Sequence, residues 1–365
     1  MIEDFPGRGL RRRESQMGMR IRLVFSTLLC GALLLINGCS KSNPSPPVIV
    51  TPFFAKGADI SWVTEMESDG VKFYNALGVQ MDVLQILKDL GMNSYRIRAW
   101  VNPANHWNNT RDVVVKAVRA KDLGMKVMID FHYSDTWADP GHQTKPSAWS
   151  ALSYTDLKTA LVNYTAHVMD TLKSNGVTPD WVQVGNETND GMLWETGRAS
   201  TSMANFAGLV SAAYGAVKSV STDTQVIVHI SNGYDNGLFR WIFDGLLANG
   251  GQWDIIGMSI YPSYGSGGVA SWPTIDIEAL NNMNDLVSRY GKPVMVVEVG
   301  MPVDQGATCK QWLTDLIQVT KSVSGNNGLG VFYWEPECMS SWNGYGLGAF
   351  DNTGKPTVAL DAFAN

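Results

Sequence analysis

The sequence predicts one (β/α)8 TIM barrel, of the α/β class. Eight short apolar runs recur along the chain, segments of helical periodicity separate them, and two helix ends carry the same stop. Asp89-Leu-Gly-Met92 and Asp122-Leu-Gly-Met125 lie 33 residues apart. In each, a glycine (Gly91 or Gly124) is placed to take the left-handed conformation that closes a helix. A strand follows each stop at once, which is βα architecture. Eight such units over about 310 residues suit a barrel that usually takes near 250 residues plus insertions. A doubly wound open sheet is the competing arrangement. The first strand lacks a Gly-rich phosphate loop, which argues against its nucleotide-binding version.

The expected strands are Gly57–Ser61, Asn93–Arg98, Lys126–Phe131, Trp181–Gly185, Gln225–Ile230, Asp254–Ser259, Pro293–Val297 and Gly328–Trp334. Between them, apolar residues recur at helical spacing: Val83, Ile86, Leu87 and Leu90, then Val113, Val114, Ala117 and Val118, then Leu157, Leu161, Tyr164 and Val168.

The barrel is expected over residues 56–365, behind an export signal. Arg20 and Arg22 precede the apolar stretch Leu23–Ile36, which ends at Asn37-Gly-Cys39. A basic start, a short apolar segment and a small residue read as a secretory signal over residues 1–38. Fourteen apolar-rich residues are too few to span a membrane comfortably. Met17 or Met19 is a candidate start. A cysteine directly after the cut resembles a bacterial lipoprotein signal, so Cys39 is the expected lipid attachment point. Residues 39–55 are then a Ser/Pro-rich tether to the outer membrane, with the barrel expected at the cell surface. The mature chain carries a net charge of −9 once the six arginines and three acids of residues 1–38 are gone, which excludes a nucleic-acid partner. Of four cysteines, only Cys309 and Cys338 belong to the barrel. An even pair in an exported protein is a candidate disulfide. Without CxxC spacing they make a poor zinc site.

In such a barrel, residues at the C-terminal strand ends share one mouth. In order these are Asp59, Arg96 and Arg98, Asp130 and His132, Asn186 and Glu187, His229, Tyr261, Glu298, and Trp334 with Glu335. Glu187 and Glu298 stand 111 residues apart, each closing an apolar run: Trp181-Val-Gln-Val-Gly-Asn-Glu187 and Val294-Met-Val-Val-Glu298. Two facing carboxyls are what glycosidic bond cleavage requires, one as proton donor and one as nucleophile or base. A single glutamate after a strand is more often structural; the pair in matching contexts is what carries the reading. The nucleophile must stay ionised, so Arg98 or Tyr261 is expected beside it. Asn186 is placed to donate to the hydroxyl next to the reacting carbon, and Trp334 to floor the sugar subsite. The thirteen tryptophans suit stacking on sugar rings as well as core packing. Glu335 and Glu337 are rival carboxylates, with Glu335 expected to turn from the mouth. His132, His142 and His229 lack ligand spacing, so no metal and no cofactor is expected.

Several segments resemble the endo-β-1,4-galactanases of glycoside hydrolase family 53. They are Gly57-Ala-Asp-Ile-Ser61, Asn93-Ser-Tyr-Arg-Ile-Arg-Ala-Trp100, Asp130-Phe-His-Tyr-Ser-Asp135 with Trp137-Ala-Asp-Pro140, Gly185-Asn-Glu187, and Phe332-Tyr-Trp-Glu-Pro336. The Asn-Glu pair is common to a wider clan of retaining hydrolases on this barrel; the strand-two and strand-three segments are more specific. The resemblance covers about Lys56 to Asn365. It implies cleavage of β-1,4-galactan, the side chains of pectin, with Glu187 as acid/base, Glu298 as nucleophile, and Asp59, Arg98, Trp100, Asp130, His132, Asn186, His229, Tyr261 and Trp334 contacting substrate. Some bacterial members tie the loops after strands seven and eight with calcium. Here Met301–Thr308 holds one acid, Asp304, too few for an ion that takes six to eight oxygens. A Cys309–Cys338 disulfide is expected to do that work instead. The competing functions are another β-glycan hydrolase of the clan, acting on mannan or xylan, and a non-catalytic glycan-binding lipoprotein. A monomer with a polysaccharide substrate is expected in each case.

Overall fold

The structure, a computed structural model, describes residues 53–340 and 342–364. The expected signal, Cys39 and nearly all of the tether lie outside the described residues. No helix among the described residues is long and apolar enough to cross a membrane.

Eight parallel strands close into a barrel in sequence order: β1 (Ala55–Asp59), β2 (Ser94–Ala99), β3 (Lys126–Phe131), β4 (Trp181–Val184), β5 (Gln225–Ile230), β6 (Ile255–Ile260), β7 (Val294–Val299) and β8 (Gly328–Trp334). β8 returns to β1, pairing Gly57 with Phe332 and Asp59 with Trp334. Helices α1 (Val63–Ser68) and α2 (Val83–Asp89) join β1 to β2. One helix then follows each strand: α3 (Thr110–Asp122), α4 (Tyr154–Ser174), α5 (Met203–Val220), α6 (Asn236–Ala248), α7 (Trp272–Tyr290) and α8 (Gly306–Lys321). A closing 3-10 helix, Val358–Ala364, packs on α8. The starts are capped as their sequences dictate. Asp82, Asn109, Ser153, Ser202 and Asp235 each accept a backbone N–H from the first turn. Gly91 and Gly124 take φ of 94° and 70°, the left-handed stops expected.

Three of the eight expected strands have the observed bounds and the others shift by one or two residues. Asp254 and Pro293 fall before their strands. Asp254 accepts the Val226 N–H with its side chain, a capping contact that apolar patterning does not register.

Side chains alternate across each strand. Outward residues such as Ile97, Val182, Val228 and Val331 pack under the helices. Inward residues fill the barrel in two tiers. The lower tier is apolar: Ala55, Met128, Trp181, Ile227, Ile255, Met295, Val297 and Phe332. Phe332 occupies the axis, where a Cβ on Gly57 would lie 2.2 Å from its ring. The upper tier is polar and fully buried: Asp59, Arg96, Arg98, Asp130, Gln183 and His229, with Ser259 beside them. The active site stands on this tier.

Candidate active site

The two glutamates reach the mouth by different local devices. Glu187 follows β4 through Gly185 at φ 94° and itself sits at φ 44°, a turn that swings the chain back over the barrel. Glu298 depends on a bulge. Met258 pairs with Val296, but Ser259 pairs with Glu298, so Val297 is an extra residue on β7. Met295 and Val297 both point inward, and strict alternation would send Glu298 outward under the helices. The extra residue resets the count and brings Glu298 to the mouth.

Glu187 and Glu298 line one cleft of about 540 Å³ with His132, Trp137, Asp139, Asn186, Tyr234, Tyr261, Tyr264, Trp334 and Tyr345. Beyond Trp137, Trp334 and Tyr345 lies a second hollow of about 570 Å³, walled also by Trp62, Trp100 and Asn105. The rings that divide the two are packed edge to face: Trp334 to Tyr345 at 4.7 Å and Trp62 to Trp137 at 5.5 Å between centroids. The result is two adjoining hollows that share the walls Trp137, Trp334 and Tyr345.

Arg96 organises the floor. Its guanidinium binds Asp59 at 2.7 Å, Asp130 at 2.9 Å and Glu298 Oε1 at 2.8 Å. It also donates to Gln183 Oε1 at 2.7 Å and Asn186 Oδ1 at 2.9 Å. Tyr261 donates its hydroxyl to Glu298 Oε2 at 3.3 Å. Glu187 has a weaker set: Ser259 Oγ donates to Oε1 at 2.6 Å. Burial raises both glutamates, Glu187 to about 7 and Glu298 well above its ordinary value, and each repels the other's charge. The guanidinium and the phenol both favour the ionised form of Glu298, whereas Ser259 is the one side-chain donor seen for Glu187 among the described residues. Burial opposes ionisation of Asp130 too, but Arg96 and then His132 outweigh it and hold its carboxyl at about 2.

His132 accepts N–H bonds at Nδ1 from Trp100 (3.3 Å) and Ala138 (3.0 Å) and faces Asp130 with Nε2 at 3.0 Å. Its proton therefore sits on Nε2, and burial keeps the ring neutral. Asn186 Nδ2 donates to Ala138 O at 2.8 Å, which fixes the amide with its nitrogen toward the cleft side.

Of the expected substrate contacts, His132, Asn186, Tyr261 and Trp334 line the main cleft and Trp100 lines the second hollow. Asp59, Arg98, Asp130 and His229 are completely buried beneath it. The cation beside Glu298 is Arg96, not the expected Arg98. Arg98 binds Glu335 at 2.9 Å and lies under the rings of Trp137, Trp100 and Trp62, at 4.2, 5.1 and 5.5 Å. Glu335 is fully buried.

The expected disulfide is absent: Cys309 and Cys338 are free, buried thiols. Cys309 is not in a loop but in the first turn of α8, with Sγ 3.9 Å from the Tyr333 hydroxyl. Cys338 lies after β8 against Glu335 and Glu337. Each sulfur is packed among its own neighbours, and burial pushes the Cys309 thiol up to about 12. Among the described residues, Glu335, Glu337 and Cys338 bring potential metal-ligand atoms within 4.8 Å of one another. The Arg98 guanidinium bonded to Glu335 already supplies positive charge there, which opposes a cation.

Gln183, Ser259, Tyr234, Tyr264 and Tyr345 belong to the site without having been marked by the sequence, and Trp137 was marked only within a family segment. Gln183 and Ser259 occupy inward positions by simple alternation along β4 and β6, a signal that was available. The aromatic residues lie in loops, where no periodicity points to them.

A closed (β/α)8 barrel with two glutamates lining one aromatic-walled cleft defines a glycoside hydrolase. The sequence profile of glycosyl hydrolase family 53 matches residues 55–309 and 304–363, and the chain belongs to that family. It is 38% identical over 338 residues to a protein of Niallia circulans described as "Uncharacterized protein in bgaB 5'region", covering 84% of this chain and 89% of that one. It is 36% identical over 304 residues to a probable arabinogalactan endo-beta-1,4-galactanase A of Neosartorya fischeri, covering 77% and 83%. Among solved structures it resembles a fungal beta-1,4-galactanase with a TM-score of 0.78 and 31% identity, over 86% of this chain and 99% of the other.

Proposed function

We propose that the protein is a retaining endo-β-1,4-galactanase that cleaves the galactan side chains of type I arabinogalactan in pectin. The observation that carries the mechanism is the unequal support of two carboxyls in one cleft: Glu298 held by a guanidinium and a phenol, Glu187 half-buried with one hydroxyl donor among the described residues. Glu298 attacks the anomeric carbon as nucleophile, while Glu187 protonates the departing oxygen. Glu187, now ionised, then takes a proton from water as that water displaces Glu298, restoring both groups. Asn186 hydrogen-bonds the adjacent sugar hydroxyl, and Trp334 stacks beneath the ring. The adjoining hollows suit cleavage within a chain. The galactan preference rests on the named relatives.

The same reading places the enzyme outside the cell, anchored through lipid on Cys39 to the outer membrane and acting as a monomer without a metal. Incubating the barrel with galactan, mannan, xylan and arabinan tests it. Short galacto-oligosaccharides from galactan alone are expected, the first-formed product by NMR is the β anomer, and dialysis against EDTA leaves the rate intact. Mannan or xylan cleavage at equal rate would move the substrate to another β-glycan. An α first product would exclude retention.

A further inference from the structure

The hydrogen bonds behind Glu187 have a direction. His229 points inward from β5 and is completely buried. Two N–H donors converge on its Nδ1: the Glu187 backbone at 3.3 Å and Gln183 Nε2 at 3.0 Å. The Gln183 amide cannot be reversed, because its Oε1 takes the Arg96 Nε–H at 2.7 Å and its nitrogen donates to Asp130 Oδ1 at 3.1 Å. Asn186 Oδ1 also lies 3.0 Å from Nδ1, but Arg96 already donates to it at 2.9 Å. Nδ1 therefore accepts, and the ring proton sits on Nε2.

That nitrogen lies 2.7 Å from Ser259 Oγ, and Ser259 Oγ lies 2.6 Å from Glu187 Oε1. Once the imidazole donates to the hydroxyl oxygen, the one hydroxyl proton is left for Glu187. Oε1 is then an acceptor, and the proton that Glu187 transfers must sit on Oε2. We propose that His229 and Ser259 are positioning residues that fix the transferable proton of Glu187 on Oε2 and hold that oxygen toward the cleft. The proposal rests on the reading of Glu187 as the acid/base.

The charged and titratable groups facing Glu187 are Arg96 on β2, Asp130 on β3, Asp139 in the following loop, His229 on β5, Tyr261 and Tyr264 after β6, and Glu298 on β7. Among the described residues, only Ser259 donates a side-chain hydrogen bond to its carboxyl. Burial keeps His229 uncharged, so the relay does not reverse over the working range.

The test is Ser259→Ala, with Ser259→Thr as the variant that restores a hydroxyl. Galactan and an aryl β-galactobioside with a good leaving group are compared across pH. Ser259→Ala should lower kcat on galactan about tenfold with KM nearly unchanged, since one hydrogen bond orienting the proton is lost. The aryl substrate needs no proton at its leaving oxygen, so its kcat/KM, which reports the first step, should be unaltered. The lost donor favoured ionised Glu187, so the basic limb of kcat/KM should rise by about 0.5–1 pH unit. Ser259→Thr should restore both. The proposal is overturned if folded Ser259→Ala leaves the basic limb in place, or slows both substrates equally. An error in the underlying reading shows separately: Glu187→Ala would then slow the aryl substrate as much as galactan.

Discussion

Arg96→Lys isolates what the guanidinium does for Glu298. Arg96 has no exposure and five polar partners: Asp59, Asp130, Glu298, Gln183 and Asn186. Lysine keeps the positive charge, so three buried carboxylates are not abandoned, a loss that would cost about 3–5 kcal/mol for a broken buried pair and threaten folding. It has three donors and no planar fork, so at least two of those contacts go. Asp59 and Asp130 are the more deeply buried acceptors, and the ammonium is expected to settle between them. Glu298 then loses its partner at 2.8 Å. A hydrogen bond to a charged group is worth about 1.5–3 kcal/mol, which raises the Glu298 carboxyl by about 1–2 pH units. The acid limb of kcat/KM follows it upward, toward the basic limb set by Glu187 near 7. The form with Glu298 ionised and Glu187 protonated is squeezed from below, so the bell narrows, its maximum drops and its centre moves to higher pH. The assay is kcat/KM on galactotetraose at closely spaced pH, with circular dichroism at each pH to confirm folding. An acid limb that stays in place while activity drops uniformly would refute the reasoning, leaving Arg96 as scaffold alone.

Three further outcomes are expected. Glu298→Ala should abolish turnover on every substrate, whereas Glu187→Ala should lose galactan cleavage yet retain turnover of an aryl glycoside with a good leaving group, measured by released phenol. Asp276 on α7 accepts the Trp312 indole N–H at 3.0 Å, and burial raises its carboxyl to about 8. The folded state therefore holds a proton that the unfolded chain releases near pH 4, so this group's stabilisation is complete at low pH and fades from there to about pH 8. Asp276→Asn, followed by urea denaturation, should gain on the wild type by a few kcal/mol across that window, at about 1.4 kcal/mol per pH unit; parallel curves would exclude a raised Asp276. Gly57→Ala places a methyl 2.2 Å from the Phe332 ring on the barrel axis and should cost about 1–3 kcal/mol, with Phe332→Leu in the same chain recovering part of it; independent, additive losses would show that the two do not meet.

The barrel was legible because its signals are local and repeated. The left-handed stops at Gly91 and Gly124 and the apolar runs of eight strands need no knowledge of tertiary contacts. Strand ends were less legible. Asp254 and Pro293 look like strand residues in an apolar window, and each does share a backbone hydrogen bond with the neighbouring strand, but the residue pairing that defines β6 and β7 starts at Ile255 and Val294. The cysteines show a different failure. Parity and an exported context favour a disulfide, yet whether two sulfurs meet depends on the face each presents, and Cys309 turns out to begin a helix that points it at Tyr333.

The arginines show where period-two reasoning stops. Arg96 and Arg98 stand two apart on β2 and both point inward, so the sequence marks either as a partner for Glu298. Which one succeeds is a matter of depth along the barrel axis. Arg96 lies level with Asp59 on β1 and with Met128, one register step below Asp130, on β3. Arg98 sits a tier higher, against Glu335, just after β8, and the tryptophans. Glu298 drops to the level of Arg96 only because of the bulge at Val297, an inserted residue that leaves no mark in composition or apolar pattern. The sequence thus reveals which residue types gather at the mouth, while the pairing that separates a nucleophile from a proton donor comes from one irregularity in one strand.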